Sequence, residues 1–71
     1  MPGRGEEARV AARARVVELL RTGAWLPARE VRNATGLRDS TARILIREMV
    51  DQQLLRRRGE GRARVYQIAA A

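Results

Sequence analysis

Apolar positions in this chain recur at two spacings. Ala12, Val16, Leu19 and Leu20, then Val31 and Ala34, then Ala42, Leu45, Ile46 and Met49 return every three or four residues, the period that lays side chains along one face of an α-helix. Toward the C-terminus the helical period stops. Residues 54–58 and 63–68 have strand-like composition, Tyr66 and Ile68 fall on one face, and the tetrapeptide GEGR between the two segments reads as a hairpin loop. The punctuation agrees with this division. Acids at Glu6 and Glu7 suit the start of a first helix, and Gly23 is placed to end it, giving residues 6–22. Ala24, Trp25 and Leu26 precede Pro27, which biases its predecessor toward extended geometry, so a one-rung strand is expected there. Pro27 also suits the first turn of a second helix over residues 28–35, with Gly36 as its stop. After a turn at residues 36–38, in which Leu37 plugs back into the core, a third helix capped by Asp39 is expected over residues 39–53. The pattern predicts a mainly α fold with a small β-hairpin.

With 71 residues, the chain is one small domain, near the lower limit for a single apolar core. The reading is a flexible basic tail over residues 1–5, one domain over 6–68 and a frayed end over 69–71. There is no cysteine or histidine, hence no disulfide, no thiol nucleophile and neither of the usual zinc-ligand types. The acids are scattered among arginines, which argues against catalysis, and no cofactor is expected. No apolar run reaches membrane-spanning length and no secretory signal is evident, so a cytoplasmic location is expected, with no membrane partner.

Charge changes the picture most. The net charge is +7, and all 15 basic residues are arginine, which favours a polyanionic partner. A GC-rich coding bias could explain the missing lysine, but not where the charges sit: residues 54–71 hold five arginines against Glu60 alone. On the third helix, Ser40, Arg43, Ile44 and Arg47 lie opposite the apolar stripe, a short polar face with two guanidinium groups. Such a face suits a DNA major groove, and Arg56, Arg57 and Arg58 just beyond it suit phosphates. Bland alternatives exist for several of these residues. Arg47 could pair with Asp51 four residues on, and Ser40 and Thr41 could bond local backbone at the helix start. Ile44 could pack at a dimer interface or against arginine side-chain stems. Arg9, Arg13, Arg15 and Arg21 read as the solvated face of the first helix, with Arg15 paired to Glu18, and Trp25 reads as packing rather than a base-stacking platform.

These segments together resemble the winged helix-turn-helix family. The resemblance runs from about Val16 to Ile68 and is carried by ARVVELL, AREVRNATGL, DSTARILIREMVDQQLL and RRRGEGRARVYQI. It implies three helices plus a two- to three-stranded antiparallel wing, and a recognition helix that enters the major groove. Two residues depart from the pattern. Arg32 stands where a small core residue is usual, so either a slight rotation of the second helix or an outward-snorkelling arginine is expected. Gln53 stands where glycine commonly ends the recognition helix, so a tighter or shifted join into the wing is expected. On this reading Ser40, Thr41, Arg43, Ile44 and Arg47 meet bases and flanking phosphates. Arg38 meets phosphate, and Arg58, Arg62 and Arg64 in the wing follow the backbone or enter the minor groove.

The function expected is sequence-specific binding of double-stranded DNA. The chain would act as a small transcriptional regulator, or as the DNA-reading module of a larger DNA-processing protein, similar to the one in translocases of the FtsK type. Self-association or a larger parent protein is compatible with either role. Two other readings stand beside it. A winged domain used for protein assembly would need an exposed apolar patch, for which Ile44, Trp25 and the outer side of Val65 are the candidates. An RNA-binding winged helix would have only two aromatics for stacking bases.

Overall fold

The computed structural model describes residues 4–69, and the chain is mainly helical with a small antiparallel sheet. Helix α1 (Arg4–Leu19) runs into a 3₁₀ turn, Leu20–Thr22, closed by the Gly23 N–H on the Leu20 carbonyl (3.0 Å). Its expected stripe is the observed one: Ala12, Val16 and Leu20 are fully buried and Leu19 packs against them. The helix begins earlier than acid placement suggested. Arg4 and Gly5, read as tail, are already helical, while residues 1–3 and 70–71, read as tail and frayed end, lie outside the described residues.

A short strand does precede α2 (Ala28–Thr35), but β1 is Leu26–Pro27 rather than residues 24–26, and it pairs with the last strand at two positions instead of one. Val31 is buried and Ala34 half-buried, but the deepest polar residue of α2 is Thr35, fully buried. Its hydroxyl donates to the Arg32 carbonyl (2.6 Å) and accepts from the Leu37 N–H (3.1 Å), so the buried group is hydrogen-bonded both as donor and as acceptor. Arg15 crosses from α1 and donates to the Thr35 carbonyl (3.2 Å), where a cation also opposes the negative end of the helix dipole. This corrects the expected Arg15–Glu18 pair: Glu18 instead meets Arg21 at 3.4 Å on the surface. Gly36 ends α2 with φ +70°, and a β-carbon there would sit 2.9 Å from Arg15 Nη1, so glycine satisfies both the left-handed turn and the passage of the guanidinium.

Helix α3 (Asp39–Asp51) buries Ala42, Leu45, Ile46 and Met49, the four residues of its expected stripe. Its cap is Arg38, not Asp39. Arg38 is extended (φ −58°, ψ 149°), its carbonyl accepts the Ala42 N–H (2.8 Å), and no side chain caps the helix. Asp39 is thereby freed for contacts of its own. The helix stops at Asp51, two residues short of the expected end. Gln53 takes the left-handed conformation (φ +63°) that glycine usually supplies, and two hydrogen bonds close the exit: Gln53 N–H to the Val50 carbonyl (2.9 Å) and Leu54 N–H to the Met49 carbonyl (2.8 Å). This is the Schellman arrangement with the steric cost of a non-glycine residue, about 1–2 kcal/mol.

The exit turn delivers the chain into β2 (Leu55–Arg58), which pairs antiparallel with β3 (Val65–Ile68); β1 lies on the other side of β3, giving the order β1-β3-β2. The register sets Leu55 opposite Ile68, Arg57 opposite Tyr66, and Leu26 opposite Tyr66 on the far side. Leu55 and Tyr66 are buried, so this set of pairs faces the helices. The set one residue away, Arg56 with Gln67 and Arg58 with Val65, faces out. One cluster joins Ala12, Val16, Leu20, Val31, Leu45, Ile46, Met49, Leu55 and Tyr66, so all three helices and the sheet share a core. Each large aliphatic buried there contributes about 1.5–3 kcal/mol. No described helix is long and apolar enough to cross a membrane.

Candidate nucleic-acid interface

A groove of about 310 Å³ opens between α3 and the sheet, lined by Arg32, Arg43, Ile46, Arg47, Val50, Arg57, Arg64 and Tyr66. Its floor is the outer margin of the core. Its walls are arginines from three parts of the chain: Arg32 from α2, Arg43 and Arg47 from α3, and Arg57 and Arg64 from the hairpin. Five arginines line the groove, and among the described residues only Asp39 is paired with any of them, so the groove concentrates positive charge.

The ion pairs in and beside the groove centre on one acid. Asp39, in the first turn of α3, is 2.8 Å from Arg32 Nε through one carboxylate oxygen and 3.0 Å from Arg43 Nε through the other. Arg32, expected to snorkel, does so as far as Asp39 and no farther: its side chain remains only 26% exposed. Among the described residues Arg47 has no ion pair, so the competing Arg47–Asp51 contact is not made and Arg47 stands exposed at the groove wall. Arg64 is half-buried and its Nε, shielded from solvent, has no acceptor.

The hairpin arginines divide by strand parity. Arg57 shares the inner face with Leu55 and turns into the groove, whereas Arg58 lies on the outer face with its guanidinium carbon 4.5 Å from the centroid of the Trp25 ring. This cation–π contact places Trp25 in edge packing, as expected, and keeps Arg58 out of the groove. Arg62 is exposed in the loop, within a 3₁₀ turn at Gly61–Ala63. The loop depends on Gly59, whose φ is +82° and whose hypothetical β-carbon would collide with the Ala63 carbonyl oxygen.

Of the residues selected from sequence, Arg43, Arg47 and Arg64 are brought together in the groove. Ser40 and Ile44 are exposed on the adjoining face of α3, with Ile44 54% exposed, and Thr41 is half-buried beside them. Arg38 is exposed at the start of α3. Of the other groove residues, Arg57 was expected to suit phosphate only as one of the run Arg56, Arg57 and Arg58, without distinction between them, and Arg32 was not expected at the site. Arg57 was within reach of sequence reasoning: it lies nine residues before Tyr66 and two after Leu55, so in-register pairing puts it on the inner face. Arg32 was not, because only the packing of α2 against α3 brings it to Asp39.

Of the three residues suggested for an apolar docking patch, Trp25 is half-buried under Arg58 and Val65 is half-buried opposite it. Ile44 stands between Arg43 and Arg47. Among the described residues no three His, Cys, Asp or Glu side chains gather to hold a metal ion. In comparisons with known proteins, the chain matches no family, no curated protein and no solved structure.

Proposed function

We propose that this chain is a winged helix-turn-helix module that binds double-stranded DNA, with α3 as its recognition helix and the β2–β3 hairpin as its wing. The observation that carries this reading is the shared groove. The outward face of α3 and the inner face of the hairpin border the same arginine-lined concavity, so a duplex seated on α3 would meet guanidinium groups from both elements at once.

On this reading Ser40, Thr41, Arg43, Ile44 and Arg47 lie at the major groove, where arginine can fork onto guanine and Ile44 can press on a thymine methyl. Arg38, Arg57, Arg62 and Arg64 neutralise phosphates beside it. Arg57 takes the place first given to Arg58, which is engaged on the other side of the sheet. Ile44, exposed on α3, has Arg43 and Arg47 on the same helix face, which favours a polyanion over an apolar partner at that face. A transcriptional role and a role within a larger DNA-processing protein would use the same surface.

The test is binding of a mixed duplex pool at several salt concentrations. With four or so phosphates neutralised, the logarithm of the affinity should fall against the logarithm of salt with a slope of about −4. No binding at low salt, or a slope near zero, would end the DNA reading.

A further inference from the structure

We infer that Asp39 is a positioning residue that makes Arg43, and not Arg47, the guanine-reading arginine of α3, an inference that rests on the DNA reading above. Both arginines lie on the exposed face of α3, and charge alone does not separate them. Their surroundings do. Asp39 stands one helical turn before Arg43 and contacts its Nε at 3.0 Å, while the other carboxylate oxygen contacts Arg32 Nε at 2.8 Å. Arg32 is anchored between α2 and α3 with most of its side chain covered, so Asp39 is held from behind by a fixed cation and in turn holds Arg43.

The atom used matters. The closest nitrogen of Arg43 is Nε, which leaves the two terminal nitrogens outside the closest contact, and those two match the spacing of guanine O6 and N7. A free arginine must lose its side-chain freedom on binding a base, whereas Arg43 has lost part of it already. The pair itself is exposed, at 66% for Arg43 and 61% for Asp39, so it adds little to folding. Its consequence lies in recognition. The carboxylate, shared with Arg32, offsets part of Arg43's attraction for phosphate while its closest contact is to Nε and not to a terminal nitrogen, which biases Arg43 from a general cation toward a selective donor. Arg47, with no acid against it, keeps full attraction for phosphate.

The experiment is selection of bound sequences from a random duplex library by the wild-type chain, Asp39→Asn and Arg43→Lys, with affinities measured on a selected site and on the random pool. The wild type should enrich guanine at one position of its site. Arg43→Lys, which keeps the charge and loses the fork, should abolish that preference. Asp39→Asn should reduce discrimination at the same position by about tenfold while binding the random pool as tightly as the wild type or more tightly. A helix-start residue with a merely structural role would lower affinity for all sequences together and leave the preference at that position unchanged. Duplex binding in which Asp39→Asn keeps the full guanine preference, or loses a cytosine preference that Arg43→Lys retains, overturns the inference alone. Failure of the wild type to bind duplex overturns the DNA reading and the inference with it.

Discussion

Arg57 and Arg58 are adjacent in the chain, identical in chemistry and both exposed, yet they serve opposite sides of the sheet. Arg57 enters the groove beside Arg43, Arg47 and Arg64; Arg58 lies over the Trp25 ring. Nothing about charge or composition distinguishes them. What separates them is parity, since successive strand residues point to opposite faces and the pairing of Leu55 with Ile68 fixes which parity faces the core. A run of arginines is therefore not a single patch: in a strand, half of it belongs to each face. The lesson extends to α3, where Arg43 and Arg47 share a face but differ in whether an acid stands one turn before them.

The strongest way to break this division is to spoil the turn that fixes the register. Gly59→Ala combines an unfavourable left-handed backbone with a collision against the Ala63 carbonyl, and should lower stability by about 2–3 kcal/mol in urea unfolding. An unchanged midpoint would mean that the loop does not hold the register. Next in size is the contrast between the neighbours themselves. Arg57→Ala should weaken duplex binding about tenfold and reduce the salt slope by about one, while Arg58→Ala should change affinity by no more than about twofold. Arg58→Ala should instead shift the fluorescence of Trp25, the only tryptophan, and cost about 0.5–1 kcal/mol of stability. Equal losses of affinity from both substitutions would show that the two faces contribute alike and that parity is irrelevant to binding. The smallest effect sharpens the comparison from upstream. Gln53→Gly should relieve the left-handed strain at the exit of α3, less the greater freedom of glycine in the unfolded chain, for a net gain of about 0.5–1 kcal/mol with β2 in the same register. A loss of stability would indicate that the Gln53 side chain makes a contribution of its own.

Much of the architecture was legible because it rests on local rules. The buried stripes of α1 and α3 and the stops at Gly23 and Gly36 depend only on periodicity and on the backbone freedom of glycine. The extended geometry before α2 follows from proline's effect on its predecessor, though not the inclusion of Pro27 in the strand, and the hairpin from strand-like composition on either side of a glycine-rich loop. The errors fall where a local rule met a tertiary partner. Arg15 looked like half of an ordinary surface pair, but α2 lies close enough for its guanidinium to reach the Thr35 carbonyl. Asp39 looked like a cap, but with Arg38 extended it became a first-turn residue flanked by two arginines.

The sequence by itself determined three helices, a short strand and a hairpin, an all-arginine surplus weighted toward the C-terminal segment, and the exposed face of α3, because each follows from spacing along one element. Only the tertiary structure decided that Arg32 reaches Asp39 and that Arg57 rather than Arg58 joins the groove. It also decided that guanidinium groups from α2, α3 and the hairpin surround one concavity. Those are relations between elements, fixed by how the shared core of Val16, Leu20, Val31, Leu45, Met49, Leu55 and Tyr66 packs, and no period within a single segment carries them.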